Sequence, residues 1–273
     1  MEYAVEVENL LYRYKDGNEA LKGISFKVKP GEKVAILGEN GAGKTTLLLH
    51  LNAVYLPQKG KIKIFGEEIK KGNEYKIRKT VGLVFQNPDD QVFSSTVYED
   101  IAFGPANFGI KENELAKRVE KAMKALDIED LKERIPYHLS FGQKKKVAIA
   151  GVLAVNPEIL VLDEPMAYLD PKSKLQIKKI LQDLENENRT LIIATHDVDF
   201  AAEWAEKVII LKQGYLLAEG GPELLTKEDI IKEAGLDFPV VYKFSREIFE
   251  NKSPLPYKSK DFINLIKLMI NRP

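Results

Sequence analysis

The sequence predicts an α/β protein built around a parallel sheet, and three features of its 273 residues carry that prediction. An apolar run, Val34 to Leu37, stops at Gly38, and a leucine-rich segment resumes after Thr46, the pattern of a buried strand feeding a buried helix. From there, short apolar runs alternate with helical stretches, as in a sheet whose strands are joined by helices. Beyond Gly220-Gly221-Pro222 the pattern changes to short helices, prolines and aromatics, which marks a small C-terminal appendage.

Residues 3 to 8, Tyr-Ala-Val-Glu-Val-Glu, alternate like a half-buried strand, as do Ile24 to Val28 and Lys61 to Phe65, the last set between Gly60 and Gly66. They predict an antiparallel N-terminal β subdomain against the core. Thr80 to Phe85 is more continuously apolar, as a buried parallel strand should be. Pro88 to Gly109, with its prolines and Asp, Asn and Ser residues, reads as loop. Lys111 to Asp127 then forms a helix with Leu115, Val119, Ala122, Met123 and Leu126 on one face. Gln143 to Val155 is a second helix, mostly buried after its first turn. Pro157 breaks the chain before a core strand, Ile159 to Leu162. A helix over Ser173 to Glu187, a strand over Thr190 to Ala194, a short helix over Val198 to Ala205 and a strand over Val208 to Leu211 follow.

Residues 1–221 are therefore expected to form one domain, with an inserted helical subdomain at about 90–155. Residues 222–273 form the appendage. It ends in an amphipathic helix, Lys260 to Asn271, carrying Phe262, Leu265, Ile266, Leu268 and Met269. That face can pack on its own domain or on a second chain, and the sequence leaves both open.

A chain that is 44% hydrophobic and 30% charged has ordinary soluble, globular composition. Its 41 acidic and 41 basic residues cancel, so no overall field recruits nucleic acid; Lys144 to Lys146 read as a solvated helix turn. The absence of cysteine excludes disulfides and thiolate metal sites. The acidic N-terminus lacks the features of a secretory leader. The longest apolar candidate, Val147 to Val155, is about half a membrane span, so no direct insertion is expected.

Three stretches carry chemistry. Gly38-Glu39-Asn40-Gly41-Ala42-Gly43-Lys44-Thr45-Thr46 satisfies the G-x-x-x-x-G-K-S/T spacing between a strand and a helix. Glycines let successive backbone N–H groups converge on an anion, and the helix start adds its own unpaired N–H groups. Lys44 can reach the β- and γ-phosphates, and the Thr45 hydroxyl can ligate Mg²⁺. This implies a nucleoside triphosphate. Next, Ile159 to Leu162 ends in Asp163-Glu164-Pro165. Asp163 is placed to hold Mg²⁺ and Glu164 to polarise an attacking water. Finally, Leu139-Ser140-Phe141-Gly142-Gln143 opens the buried helix. Ser140 can cap it, and Gly142 leaves its first N–H groups accessible as a second anion site.

The last stretch resembles the signature of the ATP-binding cassette (ABC) ATPases, and other elements of that family fall in order along residues 3 to about 220. Gln86 matches the Q-loop glutamine, Leu169–Asp170 the D-loop, His196 the switch histidine, and Tyr14 the aromatic that stacks on adenine. Tyr12, two residues earlier, is the alternative; His50 and His138 read as structural. The resemblance implies the ABC ATPase fold: a P-loop parallel-sheet core with the N-terminal β subdomain, a helical signature subdomain and the appendage. It also implies a head-to-tail dimer that sandwiches two ATPs, each between Lys44 of one chain and Ser140, Phe141, Gly142 and Gln143 of the other. Mg²⁺ would be held by Thr45, Gln86 and Asp163, and hydrolysis would fall to Glu164, His196 and Lys44. Phe141 departs from the family by replacing the first of two glycines.

Gln86 to Pro105 is similar to the ATPase subunit of energy-coupling factor transporters, the cobalt- and vitamin-type importers. That likeness implies a subunit on the cytoplasmic face of the cell membrane, peripheral to it. Its partners would be a transmembrane coupling subunit and a substrate-binding membrane subunit, and it would work as a homodimer or with a paralogous ATPase. Asp89, Asp90 and Gln91 would face basic partner residues. Cargo stays open between cobalt, nickel and vitamins. The rival readings are a non-transport ABC ATPase of repair or translation type and an ATP-binding regulatory subunit.

Overall fold

Residues 3–249 and 254–270 are described by a computed structural model. The chain opens with strands β1 (Val5–Arg13), β2 (Glu19–Val28) and β3 (Lys33–Leu37); after helix α1 (Lys44–Leu51) come β4 (Lys59–Ile64) and the two-residue β5 (Glu67–Glu68). All but β3 form an antiparallel sheet in the order β2-β1-β4-β5, the expected N-terminal subdomain. Val5, Val7 and Leu10 of β1 are all buried because a bulge at Glu8–Asn9 shifts the phase of the alternation. The same shift turns Tyr12 inward.

Helix α2 (Glu74–Thr80) leads into β6 (Val81–Val84); α3 (Val97–Asn107), α4 (Glu112–Ala125) and α5 (Phe141–Val155) form the helical subdomain. Beyond it lie β7 (Ile159–Asp163), α6 (Pro171–Asn186), β8 (Thr190–Ala194), α7 (Val198–Trp204), β9 (Lys207–Lys212) and β10 (Tyr215–Gly220). The core sheet has the order β10-β9-β3-β8-β7-β6, parallel except for β10, which returns antiparallel on β9. Its central strands are buried on both faces, which explains their unbroken apolar runs.

Three elements differ from expectation. The stretch 88–109 is not all loop: α3 occupies most of it. Thr96 accepts from the Glu99 N–H at 3.2 Å and Glu99 accepts from the Thr96 N–H at 3.2 Å, a reciprocal cap that tolerates the later Gly104-Pro105. Gly104 lets α3 close on α5, because a Cβ there would lie 2.9 Å from a Val155 methyl. Helix α2 and strand β10 are additional to the expected elements. The hairpin before β10 is a two-residue turn, Gln213–Gly214, with φ of 48° and 84°.

Helices α8 (Glu228–Ala234), α9 (Val240–Ile248) and α10 (Ser259–Ile270) build the appendage. Ile231 and Ala234 of α8 and the nearby Leu225 are buried against α7 and β9. Along α10, Phe262, Leu265 and Ile266 are half-buried whereas Leu268 and Met269 are exposed. Asn271, the expected last residue of that helix, lies outside the described residues.

Candidate nucleotide-binding and active site

Four parallel strands deliver their C-terminal ends to one edge of the sheet, where α/β folds gather ligands. After β3 comes the loop Gly38 to Thr46, after β6 Gln86, at the end of β7 Asp163–Glu164, and after β8 Thr195–His196. Register decides which of them meet. Asp163 pairs with Ala194, and the Glu164 N–H donates to Ala194 O at 2.9 Å. Glu164 thereby faces the residues that follow β8.

The loop needs its glycines for space as well as for backbone freedom. At Gly43, φ is 103° and a Cβ would lie 2.6 Å from Ala20 O. At Gly38, φ is 149° and a Cβ would collide with Leu211 O. Lys44 is buried, and its Nζ donates to Gly38 O at 2.7 Å and Glu39 O at 3.1 Å. Burial lowers its pKa, while the charges of Glu164 and Asp163 oppose that shift.

Thr45 Oγ1 donates to Asp163 Oδ2 at 2.6 Å. Burial pushes the Asp163 carboxyl above its usual range in spite of that bond. Glu164 is buried and adopts φ of 45°, a strained backbone for a residue with a side chain. Its Oε1 lies 2.8 Å from His196 Nδ1, and its Oε2 accepts from Thr195 Oγ1 at 3.3 Å. A carboxylate accepts only, so the proton of a neutral His196 sits on Nδ1.

A cavity of about 700 Å³ has Tyr14, Lys44, Thr45, Gln86, Asp163 and Glu164 in its walls, whereas Gly38, Thr195 and His196 are not among its lining residues. Asn40, Gly41, Gly43 and Thr46 also reach it. Tyr14 OH is 2.8 Å from Thr46 Oγ1. Tyr12 is instead packed inward, stacked on Tyr55 at 5.1 Å and edge-on to His50 at 4.6 Å. Of the two tyrosines, Tyr14 is the one that borders the cavity. Ala42 is buried behind the loop, and the Glu39 carboxylate turns away towards Gly235, at the C-terminal end of α8. Asn18, Glu19, Ala20, Lys22 and Gln213 complete the walls. No motif marks them, since two separate hairpins bring them there. His50 is fully buried, as a structural histidine should be, whereas His138 lies exposed beside Tyr137.

The signature residues lie elsewhere. Ser140 Oγ accepts from the Gln143 N–H at 3.3 Å, and Gln143 Oε1 accepts from the Ser140 N–H at 3.0 Å, which starts α5 two residues before the expected Gln143. Phe141 is half-buried, edge-on to the exposed Tyr168 at 5.8 Å. A Cβ on Gly142 would meet only ordinary contacts, at 3.6 Å or more. Asp170 caps α6 by accepting from the Ser173 N–H at 3.0 Å and Ser173 Oγ at 2.6 Å, and those bonds hold its pKa low.

The lysine run is not a solvated turn. Lys145 is fully buried, and its Nζ donates to Phe85 O at 3.0 Å and Gln86 O at 2.6 Å. Burial pulls its pKa down to about 8. Lys144 pairs with Asp89 at 2.7 Å. Gln91 is likewise occupied within the chain, accepting from the Phe85 N–H at 3.0 Å and donating to Leu83 O at 3.2 Å. Of the three residues expected to face a partner, Asp90 alone is left without such a contact among the described residues. Helical period cannot separate a lysine reaching water from one reaching buried carbonyls, so no sequence signal marked Lys145.

Residues 21–167 match the ABC transporter family, just over half of the chain. An energy-coupling factor transporter ATP-binding protein (EcfA) from Carboxydothermus hydrogenoformans is 50% identical, covering 99% of this chain and 100% of its own length. The chain belongs to the ABC transporter ATPases, among the energy-coupling factor ATP-binding proteins. The EcfA protein of Methanocaldococcus jannaschii is 50% identical over 93% of this chain and 92% of its own. CbiO1 of Clostridium perfringens, described as part of the ABC transporter complex CbiONQ, superposes with a TM-score of 0.73 at 42% identity, covering 88% of this chain and 97% of that one. The cassette MJ0796, solved as a dimer with ADP and phosphate, superposes with a TM-score of 0.74 at 30% identity, covering 80% and 98%. As an ABC ATPase the chain binds and hydrolyses ATP. Among the described residues no helix is long and apolar enough to cross a membrane.

Proposed function

We propose that the chain powers an energy-coupling factor importer, working as a head-to-tail pair on the cytoplasmic face of the cell membrane beneath a coupling subunit and a substrate-binding membrane subunit. The pair is two copies of this chain or this chain with a paralogue, and the cargo is cobalt, nickel or a vitamin. The observation that carries the reading is the separation of two anion sites. The cavity around Lys44 contains none of Ser140, Phe141, Gly142 or Gln143, while Gly142 is a glycine with no crowding inside its own chain. A position the fold leaves free for a side chain is explained by something that approaches from outside. A triphosphate held by the partner's loop would do so.

In this reading Lys44 and the loop N–H groups hold the β- and γ-phosphates, with Gly38 through Thr46 as the cradle and Tyr14 against the adenine. Ser140 and Gly142 of the other chain close over the γ-phosphate, beside Phe141, Gln143 and the Asp170 turn. Thr45 and Asp163 offer hard oxygens 2.6 Å apart, a donor set suited to Mg²⁺ with Gln86 beside them. No cluster of three or more His, Cys, Asp or Glu among the described residues could hold a metal without the phosphates. Bound there, Mg²⁺ would neutralise charge developing on the phosphates. Glu164 accepts the proton of the attacking water, and His196, held through Nδ1–H, donates to the γ-phosphate from Nε2 when the ring carries a second proton there. Residues 1–221 supply this machinery. Residues 222–273 supply further dimer contacts through the exposed Leu268 and Met269 of α10. The coupling subunit docks beside Asp90 and the exposed Phe93 and Phe103.

Size-exclusion chromatography of Glu164→Gln with and without ATP tests the pairing. ATP should convert monomer to dimer, and adding Gly142→Asp should abolish the dimer while nucleotide still binds. Bound ATP without pairing, or a dimer indifferent to Gly142→Asp, would sink the proposal.

A further inference from the structure

We infer that Lys145 is a positioning residue for ATP hydrolysis: it ties the first turns of the signature helix to the backbone of the Gln86 loop and so holds Gln86 at the nucleotide cavity. The inference rests on the ATPase reading above and adds to it a residue that none of the motifs contains.

The geometry is specific. Lys145 is fully buried, and two of its three protons go to successive carbonyls, Phe85 O at 3.0 Å and Gln86 O at 2.6 Å. Those carbonyls end the β6 edge of the core sheet, whereas Lys145 belongs to the helical subdomain, five residues into the helix that Ser140 caps. Two further contacts brace the same loop. Lys144 holds Asp89 at 2.7 Å, and Gln91 folds back onto Phe85 N–H and Leu83 O. The side chain of Gln86 is thus anchored through its own main chain on one side and borders the cavity on the other.

A lysine is a costly choice for such a tether. An ammonium buried without a carboxylate in direct contact is disfavoured, and its hydrogen bonds to two main-chain carbonyls offset only part of that cost. Burial pulls its pKa down to about 8, and the field of Asp163 and Glu164 across the site opposes that shift in part. Lys44 and Lys145 together therefore oppose two buried carboxylates, and both lysines end on main-chain carbonyls next to the nucleotide cavity. Retaining a charge that the packing does not need is explained by a task at the site. Moving α5 would move the Gln86 backbone with it, so the signature helix and Gln86 shift together.

The test uses the full chain carrying Lys145→Met, Lys145→Arg, Gln86→Ala and the Lys145→Met/Gln86→Ala pair. Lys145→Met should lower kcat about tenfold or more and leave the KM for ATP within about threefold. Lys145→Arg should recover much of the rate. The paired variant should be no slower than Gln86→Ala alone, because both changes remove one function. In the nucleotide-free chain, amide exchange over residues 83–87 should quicken in Lys145→Met, a readout that needs no turnover. Rate losses that multiply in the pair, an unchanged kcat in Lys145→Met, or unchanged exchange over 83–87 would each overturn the inference. A parent chain without ATPase activity would sink the ATPase reading instead, and the exchange result would still decide whether Lys145 holds the loop.

Discussion

His196 Nδ1 lies 2.8 Å from Glu164 Oε1, and the pair is made by strand register rather than by proximity in sequence. His196 is largely exposed while Glu164 is buried, so the exposed ring is held by a carboxylate beneath it. Replacing Glu164 with Gln should cut kcat by about a hundredfold or more while ATP still binds, because the proposed general base is lost and the cavity shape is kept. Steady-state phosphate release and equilibrium ATP binding measure the two effects. A Glu164→Gln chain that hydrolyses at the parent rate would remove Glu164 from the chemistry.

Gly43 and Gly142 should answer differently to the same change. Gly43→Ala places a Cβ 2.6 Å from Ala20 O at φ of 103°, so it should lower Tm and ATP affinity together. Gly142→Ala meets no crowding within the chain and should leave Tm within about 1 °C, yet slow hydrolysis. Thermal melts with and without nucleotide, alongside the ATPase rate, separate the two. Full activity in Gly142→Ala would leave its glycine without an explanation.

Tyr12 and Tyr14 form a second contrasting pair. Tyr14→Ala should weaken ATP binding by about tenfold, the scale of losing one stacked base, and Tyr14→Phe should restore most of it. Tyr12→Ala empties a packed aromatic cluster and should lower Tm with a much smaller effect on affinity. Titration with a fluorescent ATP analogue checks both. Equal losses of affinity in the two variants would show that the cavity does not distinguish them.

His50 should make stability depend on pH. Its Nδ1 is 2.7 Å from Thr46 O, its Nε2 has no partner among the described residues, and Tyr12 and Tyr55 pack around the ring. Burial holds its pKa below 6.5, so below that pH the unfolded chain binds the proton more readily than the folded one. The stability it contributes is present above pH 6.5 and is lost as pH falls towards the lowered folded value. Between about pH 7 and 5 the parent Tm should therefore fall more steeply than that of His50→Phe. Parallel melting curves across that range would dismiss His50 as the cause.

Thr96→Ala should cost about 1 kcal/mol, since it removes the oxygen that caps α3. Chemical denaturation measures the loss, and no change in midpoint would mean that the cap contributes nothing.

Much of this protein was legible before any coordinates. The unbroken apolar runs of the core strands, the loop Gly38 to Thr46 and the acid pair after β7 are local patterns, each dictated by burial or by the geometry of phosphate. Where the reading slipped, the cause was local chemistry outweighed by neighbours. Gly104-Pro105 argues against a helix, but the Thr96–Glu99 cap and packing on α5 hold α3 together. Lys144 to Lys146 read as a solvated turn, yet Lys145 is buried and donates to Phe85 O and Gln86 O.

Sequence by itself determined the class of fold and the phosphate chemistry, because spacing along one strand–loop–helix unit is enough to specify an anion cradle; the family followed from the resemblance of Leu139 to Gln143 and the accompanying motifs to those of the ABC ATPases. Only the tertiary structure decided that Glu164 meets His196, that Tyr14 rather than Tyr12 borders the cavity, and that Lys145 is buried on the Gln86 loop. Those outcomes depend on strand register, a bulge and the approach of one subdomain to another. They are set by which distant segments share a surface, and no local pattern of side chains encodes that.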